Sequence, residues 1–185
     1  MKNWLKVLEA MPRIAAMRSI AIIAMVAVIG FSMTACGGDD DNGGGGGGGG
    51  NSALNGTWVN GTDKTVLNNG AITMSSNNVE MMKGTYSTSG NNITVTFTQV
   101  KAAMFGEDAS DMGLSPDQWY TQQQLKAAII KILVDEEGVS QSEAEEMYEE
   151  WGISEAFEST TGTYTLSGNT LTVTMEGTST VLTRQ

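Results

Sequence analysis

The chain has 185 residues, with 10 basic and 21 acidic side chains and no histidine, so its formal net charge is −11. Without histidine it has no Ser-His or Cys-His catalytic pair and no ordinary zinc site, and we expect neither catalytic residues nor metal ligands. The acidic balance argues against nucleic acid as a partner, because phosphate backbones are bound through basic surfaces.

The first 35 residues are typical of a cleaved leader. Four basic residues precede twelve largely apolar residues, 20–31, and small residues then lead to Cys36. A membrane-spanning helix needs about 20 apolar residues, whereas this run soon gives way to glycine and aspartate. The pattern predicts a signal peptide over 1–35, for which Met1 or Met17 would serve as the start.

Cys36 is the only cysteine of the chain and follows Ser32, Met33, Thr34 and Ala35. This arrangement resembles the lipobox of bacterial lipoproteins, and it implies a diacylglycerol and an N-acyl chain on Cys36. Burial of such chains contributes about 0.8 kcal/mol per CH₂, so the resemblance implies a stable membrane anchor. Gly rather than Asp at residue 37 implies the outer membrane, at its periplasmic face or at the cell surface. The alternative is a free thiol in a cytosolic protein.

Residues 36–52 are predicted to be the lipidated cysteine and a flexible tether, because residues 37–50 contain ten glycines in fourteen positions. On a random-coil estimate the ends of this tether lie roughly 20 Å apart, and at most about 50 Å. The three aspartates at 39–41 lack the ligand spacing of a calcium-binding EF-hand loop. Removing the leader's net +3 from −11 leaves about −14 for the mature chain.

Residues 53–185 are predicted to form one domain, organised by an internal repeat. Residues 84–96 recur as 162–174, and both begin with Gly-Thr-Tyr and contain Ser-Gly-Asn between β-rich runs. Ser-Gly-Asn favours a tight turn, so each repeat predicts a β-hairpin. Eight strands are predicted, at 54–60, 63–68, 71–75, 79–88, 92–100, 162–167, 170–176 and 178–184.

Alternation of apolar and polar residues gives each predicted strand one face for a core and one for water. Eight such strands close most economically into an antiparallel up-and-down barrel, which removes exposed edges. A β-sandwich is the alternative.

Gly56-Thr57-Trp58 resembles the Gly-x-Trp signature of lipocalins, and Arg184 resembles the arginine that covers that tryptophan in the family. The resemblance, which covers about 54–100 and 162–185, implies a lipocalin-like barrel and a cation–π contact between Trp58 and Arg184. Such a contact contributes about 0.5 to 2 kcal/mol. Its role would be structural, as a pair that closes the barrel.

Residues 101–161 are predicted to be a helical insertion. Ser115-Pro116-Asp117-Gln118 predicts a helix start, with Leu114 and Trp119 as a hydrophobic staple and the helix running over 116–137. Ser140-Gln141-Ser142-Glu143 predicts a second start, and Gly152 a stop. Together these signals predict an αα-hairpin over one mouth of the barrel.

The insertion holds fourteen of the mature chain's twenty acidic residues. The ordinary interpretation is a solvated face. The functional alternative is a negative patch that attracts a basic partner or weakly holds calcium, with Asp135, Glu136 and Glu137 as the first ligands to test.

Two functions remain open. The first is a lipid-anchored envelope protein whose barrel binds a small, apolar ligand. The second is an interaction protein with a filled barrel, in which the acidic hairpin contacts an envelope protein or glycan. The pocket expected for the first function comprises Tyr86, Phe97, Trp119, Ile129, Leu133, Met147, Trp151 and Tyr164.

Overall fold

The computed structural model describes residues 51–106 and 108–185. The predicted signal peptide, Cys36 and the tether up to residue 50 lie outside the described residues. The nine strands are β1 (Gly56–Asn60), β2 (Asp63–Asn68), β3 (Ala71–Ser76), β4 (Val79–Ser89), β5 (Asn92–Lys101), β6 (Trp119–Tyr120), β7 (Thr160–Ser167), β8 (Thr170–Met175) and β9 (Thr178–Arg184).

Eight of these strands form a closed antiparallel barrel, as the sequence predicts. Strands β1 to β5 pair consecutively, and β5 also pairs with β7. Strand β7 pairs with β8, β8 with β9, and β9 with β1, which closes the ring. The short strand β6 pairs with β5 outside this ring. The β-sandwich alternative is therefore wrong, and the predicted strand boundaries agree with the observed ones within two residues.

Each repeat forms one hairpin, β4–β5 and β7–β8, and the two hairpins are neighbours because β5 pairs with β7. Gly84 and Gly162 are equivalent glycines of the repeats. A Cβ atom at either position would lie 2.1 Å from a backbone carbonyl oxygen, that of Thr96 or of Thr174. The glycines therefore allow the partner strand to approach closely at the same point of each hairpin.

One end of the barrel, called the closed end below, is covered by residues 51–55, the N-terminal strap. The strap contains a 3-10 turn, Ser52–Leu54, whose Leu54 is fully buried. The turns at 69–70, 90–91 and 168–169 lie at the same end, because β2, β4 and β7 each finish there. The opposite end, called the insert end, carries the turns at 61–62, 77–78 and 176–177.

The chain leaves the barrel at the insert end, after Lys101, and returns at Thr160. The insertion contains three helices, α1 (Asp108–Asp111), α2 (Gln122–Asp135) and α3 (Gln141–Glu150), with 3-10 turns at Ala102–Phe105 and Ile153–Phe157. Its buried side chains and those of the barrel form one continuous apolar cluster. The insertion is thus part of the same folded unit as the barrel.

The predicted helix start at Ser115 is wrong. Pro116 lies in a turn, and its carbonyl accepts a hydrogen bond from the Ala103 amide at 2.8 Å. Trp119 and Tyr120 pair with β5. These backbone bonds to the barrel strand and to the preceding turn replace the ones that a helix would make. Helix α2 begins instead after Thr121, which forms a capping box with Gln124.

Candidate functional site: the helical insert

The helices α2 and α3 pack against each other as a hairpin. Leu125, Ile129 and Leu133 of α2 are buried, and α3 buries Ala144 and Tyr148. Ser140 caps α3 through the predicted capping box with Glu143. The amphipathic pattern of both helices is therefore satisfied by packing within the insert and against the barrel cluster.

The side chains expected to form a ligand pocket lie at two separate ends of the molecule. Tyr86 and Tyr164 are at the closed end, where the Tyr86 hydroxyl donates to Asn55 Oδ1 and the Tyr164 hydroxyl accepts from Asn51 Nδ2, both at 3.1 Å. Burial raises the pKa of Tyr86. Both tyrosines therefore hold the N-terminal strap in place.

The remaining residues of the expected pocket lie in β5, in β6, or in and next to the helices. Phe97 is half-buried on β5, and Trp119 lies on β6 with the Lys83 ammonium 4.0 Å from its ring centroid. Three residues of the set lie in the helices and Trp151 directly follows α3 as its C-cap. All four face the apolar cluster: Ile129 and Leu133 are buried, and Met147 and Trp151 are half-buried.

The barrel interior is occupied by the side chains of its own strands. Leu171 and Val173 of β8 each expose 1% of their surface, and Ile72 and Leu182 expose 2%. Thr180 also faces this interior, is 98% buried by the same measure, and its hydroxyl has no hydrogen-bond partner. An eight-stranded barrel has an interior just wide enough for its side chains to fill, and these exposures correspond to that packed case.

Methionine is concentrated in this cluster. All seven methionines after residue 50 belong to it or pack against it: Met74, Met81, Met82, Met104, Met112, Met147 and Met175. Unbranched, polarizable side chains of this kind fill irregular gaps. They account for how the barrel core continues into the insert.

A groove of about 480 Å³ runs along the outer side of α2, beside the start of α3. Its floor is Ala127, Ile130 and Val134, which follow one another at helical spacing, and its walls include Lys126 and Lys131. Ala127 is exposed, whereas Ile130 is buried and Val134 is half-buried against the apolar cluster, so the floor borders the stripe of Leu125, Ile129 and Leu133 that faces the core. This groove was not predicted from the sequence, although the i, i+3, i+7 spacing of its floor residues was the signal for it.

The lysines of the groove are both paired with carboxylates. Lys126 Nζ lies 2.5 Å from Glu149 Oε1, which links α2 to α3 and lowers the pKa of Glu149. Lys131 pairs with Asp135 one turn along α2, and that hydrogen bond raises the pKa of Lys131. Lys126 and Lys131 are the only basic residues between 102 and 183, against fourteen acidic residues between 107 and 158, so the insert has a strong net negative charge.

The solvent face of α3 carries five exposed glutamates: Glu143, Glu145, Glu146, Glu149 and Glu150. Glu143 caps the helix, and hydrogen bonds from the Ser140 backbone and hydroxyl lower its pKa. Among the described residues, no group of three or more His, Cys, Asp or Glu side chains is placed to hold a metal ion. That includes the predicted set of Asp135, Glu136 and Glu137.

Tyr148 is the one fully buried tyrosine of the hairpin. Its hydroxyl makes no hydrogen bond, and burial raises its pKa to about 12. The Lys126 ammonium lies 5.2 Å from the centroid of its ring. Tyr148 therefore remains neutral at physiological pH and serves as packing between the helices.

At the closed end, the contact expected between Trp58 and Arg184 is present. The two residues face each other across β1 and β9, and the guanidinium carbon lies 4.5 Å from the ring centroid. The Trp58 indole donates to the Leu54 carbonyl at 2.7 Å, and Arg184 Nη2 donates to the Ala53 carbonyl at 2.5 Å. The pair thus joins the first strand, the last strand and the strap.

No helix in the part of the chain that the structure describes is long and apolar enough to cross a membrane. Comparison of the chain with protein families, with curated proteins and with solved structures gave no match in any of the three.

Proposed function

We propose that this chain is a lipid-anchored envelope lipoprotein whose domain is a non-catalytic interaction module. In this proposal the barrel is a filled scaffold, and the α2–α3 hairpin is the contact surface for another envelope protein or glycan. The anchor is Cys36, acylated at the outer membrane. The observation that carries the proposal is the packing of the barrel interior by its own side chains.

The packed interior favours an interaction module over a barrel that binds a small apolar ligand. Ligand pockets have volumes of about 300 to 1,000 Å³ and bury most of the bound molecule. At the depth of Val173 and Thr180, side chains already fill the barrel. An apolar ligand would have to displace several of them at once.

The groove on α2 opens to solvent at Ala127, which is exposed, so a partner can reach it without any change in the barrel. Its apolar floor is flanked by charged side chains at the rim. An apolar centre with a polar rim is the usual anatomy of a protein–protein contact. The acidic face of α3 adjoins this groove through the Lys126–Glu149 pair and favours a partner with basic groups.

The test uses the mature lipidated protein in detergent as bait for extracts of its own envelope. Ala127→Arg places a long charged side chain on the exposed groove floor, and Gln122→Arg makes the same change on the same helix outside the groove. We expect Ala127→Arg to weaken partner capture about tenfold or more, the scale of one lost interface contact. Gln122→Arg should leave it unchanged.

A second measurement distinguishes the two functions directly. The wild-type protein is titrated with an apolar fluorescent dye and with a fluorescent fatty acid. Saturable one-to-one binding that survives Ala127→Arg would contradict the filled scaffold and restore the small-ligand function. The anchor has its own test, because Cys36→Ala should release the protein into the soluble fraction.

A further inference from the structure

The N-terminal strap fixes where the tether joins the folded domain. Asn51 donates its backbone amide to Thr88 Oγ1 at 3.2 Å and its side-chain amide to the Tyr164 hydroxyl at 3.1 Å. Leu54 is fully buried three residues later, and Arg184 holds the Ala53 carbonyl. The chain that comes from Cys36 therefore enters the domain at the closed end of the barrel and at no other place.

The hairpin lies at the other end of the same barrel. Strand β5 runs from the closed end at Asn92 to the insert end at Lys101, and the insertion starts with the next residue. Strand β7 begins the return at Thr160, opposite Val95. Helix α2 directly follows β6, which pairs with β5 at Val100 and Lys101. The strap and α2 therefore lie toward opposite ends of β5, and the end of the insertion returns along β5 as far as Val95.

We infer that the tether joins the domain at the pole opposite the contact surface, so that on average the hairpin faces away from the bilayer that holds the anchor. This inference rests on the proposed function for the identity of the contact surface. It also defines the class of partner: a macromolecule that approaches through the aqueous phase, rather than a lipid or a segment embedded in the anchoring leaflet.

The geometry supports this polarity even when the tether is flexible. Fourteen residues separate Cys36 from Asn51, so the closed end always stays within about 50 Å of the anchored cysteine. The barrel adds roughly 20 Å between the poles, from about seven residues of rise along tilted strands. Because only the closed end is tethered and the bilayer excludes the folded domain, the closed end lies nearer to the membrane than the hairpin on average.

The negative charge of the insert also favours an orientation in which the hairpin points away from the membrane. Fourteen acidic residues lie between 107 and 158, whereas anionic headgroups give a membrane surface a negative potential. Repulsion between the two disfavours orientations in which the hairpin lies on the bilayer. The outward positions near the closed end on β7 and β8 are threonine and serine, which carry no such charge.

The test measures the distance of each pole from the membrane in the lipidated protein. Thr62→Cys, in the turn at the insert end, and Asn169→Cys, in the turn at the closed end, are exposed positions with ordinary φ angles. The thiol of Cys36 is blocked by its thioether, so a maleimide dye labels only the new cysteine. The protein is inserted into phosphatidylcholine vesicles that carry an energy acceptor on the headgroups.

We expect the dye at residue 169 to transfer energy more efficiently than the dye at residue 62, with average distances from the headgroups that differ by at most roughly 20 Å, the length of the barrel. Adding phosphatidylglycerol should widen the difference at low salt, and 1 M salt should remove that increase. Equal or reversed distances in neutral vesicles would overturn the inference. Both variants should capture the partner as well as the wild-type protein does, since neither substitution lies in the groove. A failure of the distance test can therefore be told apart from a failure of the proposed function.

Discussion

Thr180→Val tests whether the barrel interior is filled in solution. The Thr180 hydroxyl is enclosed and has no hydrogen-bond partner, and an unpaired buried hydroxyl costs about 1 to 3 kcal/mol relative to water. Valine has nearly the same shape and adds a buried methyl group. We therefore expect the substitution to raise the free energy of unfolding by about 1 to 2 kcal/mol.

The assay is urea unfolding of the chain from residue 36 with Cys36→Ala, followed by tryptophan fluorescence, with a thermal scan alongside. For a domain of this size the expected gain corresponds to roughly 3 to 8 °C in Tm. Thr183→Val is the matched control, because Thr183 lies on the same strand with its side chain exposed. Subtracting the effect of Thr183→Val on the free energy of unfolding removes the difference in strand propensity between threonine and valine.

A loss of stability at residue 180 with no change at residue 183 would refute the reasoning. It would mean that the Thr180 hydroxyl has a partner in solution, such as an enclosed water molecule or a bound ligand. In that case the barrel holds something other than its own side chains, and the small-ligand function becomes the better proposal.

Three further predictions concern closure, strand approach and acid stability. Gly162→Ala should destabilise the domain by about 3 kcal/mol or more in urea, because its Cβ would lie 2.1 Å from the Thr174 carbonyl oxygen; an effect below 1 kcal/mol would contradict the close approach. Arg184→Gln should lower the free energy of unfolding by about 1 to 3 kcal/mol, because the contact with Trp58 and the charged hydrogen bond to the Ala53 carbonyl are lost. No change would mean that strand pairing alone closes the barrel. Glu143 has a lowered pKa, so the stability that its capping hydrogen bonds give to α3 is present above the unfolded pKa and is lost as pH falls through the folded pKa. Helix content measured by circular dichroism should therefore depend less on pH below about 4.5 in Glu143→Gln than in the wild-type protein. An unchanged profile would argue against the cap.

The barrel could be predicted because two local signals agreed. Alternation such as Ile93-Thr94-Val95 marked the strand faces, and Ser-Gly-Asn marked the turns of both repeats. Closure followed from the number of strands and from the exposed edges that an open sheet of single-faced strands would leave. The role of Gly84 and Gly162 could not be predicted, because it depends on how closely a neighbouring strand approaches.

The start of α2 shows where local signals fail. Ser115-Pro116 has the chemistry of a helix start, but the pairing of Trp119 with Lys101 across β5 and β6 overrides it. A contact between residues eighteen positions apart is not visible in a capping pattern. The residues of the expected ligand pocket lie at two ends of the molecule for a related reason. Tyr86 and Tyr164 alternate correctly for the barrel interior, but alternation does not say toward which end of the barrel a side chain lies.

The seam between β1 and β9 sets when the barrel can form. Only Trp58–Arg184 and Val59–Thr183 pair across it, and the Gln185 amide completes it by donating to the Thr57 carbonyl. The ring therefore needs β9, so until that strand has been synthesised β1 has no neighbour on one side. Contacts across more than 120 positions also form slowly, which makes closure of this seam a late step of folding.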